Sequence, residues 1–210
     1  MRVLLASTNR GKIAELRYIM GTRGIDLIGL NDSESTEQIE TGATFSENAL
    51  LKAAHYHRLS ELPTIADDSG LEVDALEGAP GVHSARFAGI GANDQARLLK
   101  LLDEMKAVPP QRRHARFVCA AAIVWAGGKK VVVDEAQGLI LTSPRGRNGF
   151  GYDPVFFYEP LKKTFAELTA EEKTAVSHRG RAFRKLCAWV SQSGVLDTPS
   201  PADRIVSTAD

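Results

Sequence analysis

The pattern of apolar and polar residues along the chain predicts strands that alternate with helices. An apolar run at residues 3–6 predicts a short buried strand, and apolar residues at helical spacing predict a helix from about residue 11 onward. A second apolar run, at residues 64–66, predicts a strand that ends directly before two adjacent aspartates, Asp67 and Asp68. Adjacent like charges repel each other, so this pair needs a structural or functional reason.

Helix starts are marked by two capping boxes, in which a Thr and a Glu three residues later bond each other's backbone. Thr44 and Glu47 predict a helix that runs to about Leu59, and Thr169 and Glu172 predict a second one. Amphipathic spacing predicts further helices at residues 93–106 and 177–192.

The middle of the chain predicts antiparallel strand pairing. A strongly apolar strand at residues 116–126 leads into the turn residues Gly127-Gly128, and the return strand begins at residues 129–133. Residues 143–152 are rich in glycine and predict a loop before a strand at residues 155–157. Interleaved helices and strands, together with this hairpin, place the chain in the α/β class with a mixed sheet.

The composition limits the functional classes. The chain has 210 residues, of which 26 are basic and 26 acidic, and the zero net charge argues against a broad surface for nucleic acid or an anionic membrane. A small anionic ligand needs only a local basic cluster. No run approaches the roughly 18 apolar residues of a membrane span. We expect one domain at residues 1–196 and a poorly ordered tail at residues 197–210.

Cysteine usage and the N-terminus indicate a cellular location. Cys119 and Cys187 each lie within an apolar segment, so we expect buried thiols rather than a disulfide, as is typical of a reducing compartment. The N-terminal apolar run ends too soon to form the core of a signal peptide. The sequence therefore predicts a cytoplasmic protein.

Small polar residues connect the first predicted strand to the first predicted helix. They are Ser7, Thr8, Asn9, Arg10, Gly11 and Lys12. Such a loop presents backbone N–H groups and a positive helix end to an anion, and Lys12 adds a full charge. An ordinary N-cap would occupy the same position, so both interpretations stay open. The spacing differs from that of the P-loop, which excludes that family of nucleotide folds.

The adjacent aspartates suit a magnesium ion, because Mg²⁺ prefers a few carboxylate oxygens and keeps several waters. A bound cation would also relieve the repulsion between Asp67 and Asp68. In the alternative interpretation, Asp67 caps a turn and Asp68 points into solvent. Glu40 is a candidate further ligand, although the chain alone does not place it near Asp68.

Basic side chains on two predicted helices are candidate ligand contacts. Lys52 lies among alanines, where a helix can approach a ligand closely, although most helix lysines are solvated. Lys173, His178 and Arg179 surround a helix start. They either bind a phosphate or carbonyl oxygen or form a solvated helix end.

An aromatic pair lies in the glycine-rich loop. Phe150 and Tyr152 are separated by Gly151 and followed by Asp153. The two rings either clamp a flat ring between their faces or plug the core beneath the loop.

Motifs in a fixed order resemble the inosine triphosphate pyrophosphatase family. They run from residue 4 to about residue 186 and read STNRGK, TFSENALLKA, IADDSGLEVDALEGAPGVHSAR, GFGYDPVFF and EEKTAVSHRGRA. Enzymes of this family hydrolyse non-standard purine nucleoside triphosphates such as ITP, dITP and XTP. The resemblance implies an elongated mixed β-sheet with flanking helices, two lobes around a central substrate cleft, a homodimer and the cofactor Mg²⁺.

The resemblance also implies a role for each candidate residue. Asp68 matches the catalytic acid that also binds Mg²⁺, and Glu40 matches an acidic residue linked to the metal. Substrate contacts are implied for Ser7, Thr8, Asn9, Arg10, Gly11, Lys12, Lys52, Ser69, Phe150, Gly151, Tyr152, Asp153, Lys173, His178 and Arg179. The implied reaction is attack of water at the α-phosphorus, which releases a nucleoside monophosphate and pyrophosphate.

Two other functions are compatible with parts of the sequence. Maf-like nucleotide pyrophosphatases share a similar fold and reaction and favour pyrimidine or modified nucleotides. Their N-terminal loop carries Ser-Pro-Arg-Arg, whereas this chain has Thr-Asn-Arg-Gly at residues 8–11. A non-catalytic nucleotide sensor would use the aspartates only to hold a metal–nucleotide complex.

Overall fold

The computed structural model of the chain describes residues 2–20, 26–30 and 39–195. The tail expected at residues 197–210 lies outside the described residues. Within the described ranges, every helix is too short or too polar to cross a membrane. Both cysteines are buried, as their apolar surroundings predict.

One mixed sheet runs through the described residues. Its seven strands are β1 (Arg2–Leu5), β2 (Asp26–Gly29), β3 (Thr64–Val73), β4 (His114–Trp125), β5 (Gly128–Ile140), β6 (Phe156–Tyr158) and β7 (Lys163–Thr164). Their spatial order is β2-β1-β3-β4-β5-β6-β7. Strand β1 pairs in parallel with β2 and β3, whereas β6 pairs antiparallel with β5 and β7. The parallel strands are joined by helical crossovers, as parallel pairing requires.

Helices flank this sheet. The α-helices of the described part are α1 (Arg10–Met20), α2 (Phe45–Ser60), α3 (Asp94–Glu104), α4 (Ala170–Val176) and α5 (His178–Ser193). Short 3-10 helices lie at Asp74–Leu76, Gly81–Arg86, Pro110–Arg112, Glu159–Leu161 and Phe165–Glu167. The predicted α/β class, with a mixed sheet and flanking helices, is confirmed.

Side-chain caps define where α2 and α4 begin. Thr44 Oγ1 accepts a hydrogen bond from the backbone N–H of Glu47, and the Glu47 carboxylate accepts one from the N–H of Thr44. Thr169 and Glu172 form the same reciprocal pair at α4. Both predicted capping boxes are confirmed. The box at Thr44 defines the residue at which α2 begins.

Strand β3 is longer than its apolar run predicts. The expected end after residue 66 is wrong, because the strand continues through Asp67 and Asp68 to Val73. Each aspartate has a partner on a helix, Lys12 for Asp67 and Asn48 for Asp68. Because these partners offset the cost of burying the two carboxylates, the strand can continue through the protein interior.

The chain divides into two compact units. The first comprises Met1–Asp68, Ala120–Val133 and Ala182–Asp210, and the second comprises Ser69–Cys119 and Asp134–Arg181. The boundary within β3 falls between Asp68 and Ser69. The second unit contains a hydrophobic cluster in which the rings of Phe117, Phe156 and Phe165 contact one another at 4.7–5.8 Å between centroids.

Candidate active site

The loop before α1 ends in a helix cap. Asn9 Oδ1 accepts a 3.1 Å hydrogen bond from the backbone N–H of Lys12, which confirms the N-cap interpretation for Asn9. The Lys12 ammonium lies 3.2 Å from Asp67 Oδ2. Of the other predicted loop residues, Ser7 is buried, Gly11 is half-buried, and Thr8 and Arg10 are exposed. The cap therefore places Lys12 beside Asp67 and leaves Thr8 and Arg10 at the surface.

The adjacent aspartates of β3 are both buried, with 0% of Asp67 and 5% of Asp68 exposed. Successive side chains of a strand point to opposite faces, and the two carboxylates accordingly have different partners. Asp67 contacts Lys12, and Asp68 Oδ2 accepts a 3.0 Å hydrogen bond from Asn48 Nδ2. The alternative in which Asp67 caps a turn and Asp68 points into solvent is therefore wrong.

One face of α2 is buried although it contains polar side chains. The face comprises Phe45, Asn48, Ala49, Lys52, Ala53 and Tyr56. Asn48 donates to Asp68, and the Lys52 ammonium contacts the Glu40 carboxylate. Lys52 is thus not a solvated helix lysine, and α2 contacts both residues that the sequence predicts as metal ligands.

Burial and neighbouring charges shift the pKa of two groups in this part of the molecule. Burial raises the pKa of Asp68, and the negative charge of Glu40 raises it further. The two lysines and the Asn48 hydrogen bond oppose this rise only in part. Burial alone would lower the pKa of Lys52, but three surrounding carboxylates outweigh it, so that pKa is raised as well. Each shift favours the protonated form of its group, mainly through burial at Asp68 and through the surrounding carboxylates at Lys52.

These residues form a group that we call the carboxylate cluster. Its members are Glu40, Asp67, Asp68, Lys12 and Lys52. Three carboxylates against two lysines leave one excess negative charge. Among the described residues, no three His, Cys, Asp or Glu side chains are grouped closely enough to hold an ion by themselves. Mg²⁺ typically uses one or two carboxylates and completes its shell with substrate phosphates and water, so the predicted pair of ligands fits it.

A buried ion pair in the second unit fixes the loop that carries Phe150. Lys173 Nζ lies 2.6 Å from Asp153 Oδ2, and both side chains are less than a tenth exposed. The same oxygen accepts a 2.9 Å hydrogen bond from the backbone N–H of Phe150. Gly149 has a φ of 74° and lies so close to Asp153 that a Cβ atom would not fit. Asp153 therefore holds the Phe150 backbone, and Lys173 balances the charge of Asp153.

Two cations lie over the ring of Phe150. Lys173 Nζ is 4.8 Å and Arg179 Cζ 5.6 Å from its centroid. Arg179 Nη2 also donates a 2.7 Å hydrogen bond to Ser69 Oγ. The buried His178 stacks on a core phenylalanine, with ring centroids 4.7 Å apart and planes at 9°. Lys173, His178 and Arg179 are all buried, so the alternative of a solvated helix end is wrong.

Tyr152 belongs to the hydrophobic core of the second unit. Its hydroxyl donates a 2.9 Å hydrogen bond to the carbonyl oxygen of Ser84, and burial raises the pKa of its phenol. The prediction that Tyr152 clamps a flat ligand ring is therefore wrong, because its own ring packs in the core. Phe150, in contrast, is only partly buried. The backbone N–H of Gly151 donates a 2.7 Å hydrogen bond to Asp94 Oδ2, so a second carboxylate holds the same loop.

We call Phe150, Asp153, Lys173, His178 and Arg179 the Phe150 cluster.

The sequence did not predict two supporting residues, Asn48 of the carboxylate cluster and Asp94 of the Phe150 cluster. Asn48 had a signal, because it is a polar residue within the apolar stripe of α2. Asp94 had none, because the N–H that it binds is 57 positions away along the chain.

Comparison with known sequences gives matches over most of the chain. The chain is 51% identical over 194 residues to a dITP/XTP pyrophosphatase of Frankia alni, a match that covers 89% of this chain and 95% of that protein. It is 47% identical over 188 residues to the dITP/XTP pyrophosphatase of Escherichia coli K12, with 88% and 95% covered.

Solved structures and a family model agree with these matches. The Ham1 protein of Staphylococcus aureus superposes with a TM-score of 0.81 at 38% identity, covering 92% of this chain and all of that one. A nucleoside-triphosphatase, or dITP/XTP pyrophosphatase, from Mycobacterium abscessus has a TM-score of 0.71 at 46% identity, with 89% and 98% covered. The model of the Ham1 family matches residues 3–189, and the resemblance found in the sequence is confirmed. This chain belongs to the Ham1 family.

Proposed function

We propose that the chain is a nucleoside triphosphate pyrophosphatase that hydrolyses the non-standard purine nucleotides ITP, dITP and XTP to the monophosphate and pyrophosphate. It would thereby remove these nucleotides from the nucleotide pool. The observation that carries the proposal is Asp68, a buried carboxylate with a raised pKa that interacts with two lysines. The names of the relatives support the same substrate class.

The carboxylate cluster supplies the groups that phosphoryl chemistry needs, which are positioned charges and a base. Lys12 and Lys52 would bind phosphate oxygens, and Asn9 and the exposed loop before α1 would add further donors. Asp68 would take the proton of the attacking water, because a carboxylate whose pKa is raised towards neutrality is a better base than an ordinary one.

Asp68 and Glu40 would hold Mg²⁺, which when bound neutralises phosphate charge and lowers the pKa of a coordinated water. In the structure Glu40 contacts Lys52. This contact would compete with the proposed role of Glu40 as a metal ligand and with that of Lys52 as a phosphate ligand. A phosphate that draws the Lys52 ammonium towards itself would release the Glu40 carboxylate for the metal. The excess negative charge of the cluster supports a cation at this position.

The Phe150 cluster supplies the groups that recognition of a purine base needs. Phe150 would stack against the ring, and Arg179 would donate to the 6-keto oxygen that hypoxanthine and xanthine carry. Adenine has an amino donor at that position, so the Arg179 N–H and the adenine N–H would face each other without an acceptor. Such a mismatch rejects an analogue by about 10⁴-fold. Guanine shares the 6-keto oxygen and must be refused at its 2-amino group.

We also propose, from the family resemblance, that the chain forms a homodimer in the cytoplasm. Light scattering coupled to size-exclusion chromatography tests the dimer, because the protomer mass is 22.7 kDa. A single species of protomer mass at micromolar concentration would contradict it.

The function is tested by measuring pyrophosphate release from ITP, dITP, XTP, ATP, GTP, dTTP and UTP, with and without Mg²⁺. We expect release only with the metal and only from the first three nucleotides. Hydrolysis in water enriched in oxygen-18 should place the label in the monophosphate, as attack at the α-phosphorus requires. Preferred cleavage of dTTP or UTP would instead indicate a Maf-like enzyme, and binding of ITP without turnover would indicate a sensor.

A further inference from the structure

Asn48 bridges two segments of the carboxylate cluster with one side-chain amide. Its Oδ1 accepts a 2.7 Å hydrogen bond from the backbone N–H of Gly42, and its Nδ2 donates a 3.0 Å hydrogen bond to Asp68 Oδ2. Only 1% of the residue is exposed. Because an N–H can only donate, the Gly42 bond defines which end of the amide is oxygen and turns the Nδ2 donor towards Asp68.

The bonded segment directly follows Glu40, the second predicted metal ligand. The N–H groups of Gly42, Ala43 and Thr44 all donate to side chains of the first turn of α2, the first to Asn48 and the other two to Glu47. Three consecutive backbone donors are thus held by one helix turn. The position of the Glu40 segment therefore depends on the same helix turn that contacts Asp68.

Gly42 is fitted closely to this arrangement. A Cβ atom at position 42 would lie 2.6 Å from the Glu47 Cβ and 2.9 Å from Asn48 Oδ1. The Glu47 Cβ belongs to the helix and cannot move aside without moving α2. Only glycine permits this approach, so an alanine at position 42 would displace the bond between Gly42 and Asn48.

Asn48 has no other evident reason to lie where it does. A buried side-chain amide costs free energy unless both of its ends are bonded. Alanine or leucine would serve the buried face of α2 better if packing alone mattered. The position is therefore occupied by a side chain whose advantage is the pair of bonds that it makes.

We propose that Asn48 is a positioning residue that orients the Asp68 carboxylate and holds the Glu40 segment in register with it. The inference rests on the proposed function, since it concerns the base and the metal ligands of that reaction. Asn48 acts through Asp68 and Gly42 and does not itself touch the substrate. Loss of a residue that orients a metal ligand typically costs about 10- to 100-fold in metal affinity or activity.

The test compares four variants, one of which is Gly42→Ala, where the added Cβ would displace the bond to Asn48. Asn48→Ala removes both bonds, whereas Asn48→Asp keeps the acceptor for Gly42 and loses the donor to Asp68. Ala53→Gly is the matched control, because Ala53 lies on the same buried face of α2 and a glycine there weakens the helix without touching the cluster. Each protein is assayed for kcat and KM with dITP, for Mg²⁺ affinity by calorimetry without nucleotide, and for its thermal unfolding midpoint.

We expect Asn48→Ala to lower both kcat and the calorimetric Mg²⁺ affinity about 10- to 100-fold, with a KM for dITP within about threefold of wild type. Asn48→Asp should lower kcat at least as much, because it also places a negative charge beside Asp68. Ala53→Gly should lower the unfolding midpoint while leaving kcat and Mg²⁺ affinity unchanged. Gly42→Ala should reproduce the kinetic signature of Asn48→Ala.

Three results would overturn the inference. An Asn48→Asp variant with wild-type kcat would show that the donor to Asp68 is not needed. Loss of kcat and Mg²⁺ affinity in Ala53→Gly would show that the effect is general destabilisation. If wild type and Asn48→Ala hydrolyse dITP equally well and bind Mg²⁺ equally well, the role of Asn48 is wrong while the proposed function stands. If the wild-type chain neither hydrolyses dITP nor binds Mg²⁺, the proposed function is wrong too.

Discussion

The carboxylate cluster and the Phe150 cluster differ in the sign of their charge and in the surface that they offer. In the first, three carboxylates face two lysines, so that negative charge is in excess. Among the members of the second, the carboxylate Asp153 faces Lys173 and the guanidinium of Arg179 lies over Phe150, so that two cations accompany one carboxylate. A cluster with excess carboxylates is suited to bind a metal cation and to act as a general base. Cations beside an aromatic ring are suited to bind a flat ligand that carries carbonyl oxygens. We therefore expect changes in the first cluster to affect kcat and changes in the second to affect KM and base choice.

The largest effect should come from Asp68→Asn. The substitution preserves shape and removes the proposed base and metal ligand, so kcat for dITP should fall about 10²- to 10⁴-fold or more. Asp74→Asn, which changes an exposed carboxylate six residues further on, should leave kcat unchanged. Near-normal pyrophosphate release by the Asp68 variant would remove that residue from the mechanism.

The buried ion pair of the Phe150 cluster should be the next most sensitive feature. Lys173→Met would leave the Asp153 carboxylate buried without the Lys173 charge, which should lower the free energy of unfolding by about 3–5 kcal/mol in urea denaturation. Lys163 forms an ion pair with Glu172 in which both side chains are about two-fifths exposed, and Lys163→Met should cost no more than about 1 kcal/mol. Equal costs for the two variants would show that burial of the first pair has no special weight.

Phe150→Ala tests the division of roles directly. Stacking of a base on an aromatic ring is worth about 1–3 kcal/mol, so the KM for dITP should rise about tenfold or more with a smaller change in kcat. The control is Tyr152→Phe, which removes only the hydroxyl bonded to Ser84 and should lower stability by about 1 kcal/mol without changing KM. A raised KM in the tyrosine variant would mean that the Tyr152 hydroxyl, which the structure bonds to Ser84 in the core, also affects binding of the base.

The smallest effect should appear in the pH dependence of stability. Burial raises the pKa of Asp68 in the folded protein, so its ionised form costs stability at neutral pH, and this cost disappears as the pH falls through the folded pKa. In a chelating buffer near pH 7, Asp68→Asn should therefore unfold at a higher temperature than wild type. The difference should vanish near the ordinary carboxyl pKa of about 4. Identical midpoints at every pH would contradict the raised pKa.

The sequence predicts the fold well where the determining interactions are local. The boxes at Thr44 and Thr169 involve residues three positions apart, and the turn after β4 follows from adjacent glycines, so both are readable from short patterns. The end of β3 is not readable in this way. Asp67 looks like a strand terminator until Lys12, 55 positions earlier in the chain, is known to bind it.

The site follows the same rule. Motif order places the right residue types in the right segments, but it does not distinguish a core tyrosine from a half-buried phenylalanine two positions before it. Tyr152 is buried because its hydroxyl reaches the carbonyl of Ser84, 68 positions away, whereas Phe150 stays partly exposed. The burial of Lys52 and Lys173 likewise depends on partners that only the folded chain brings near.

The central claim, that a charged cluster performs the reaction while an aromatic cluster selects the base, is tested most directly by one ratio. The measurement is kcat/KM of the wild-type chain for dITP divided by kcat/KM for dATP, both at saturating Mg²⁺. The account predicts a ratio of about 10⁴, because dATP would bury an unmatched amino group against the Arg179 donor. A ratio near one would contradict it, since the chemistry would then proceed without any selection of the base.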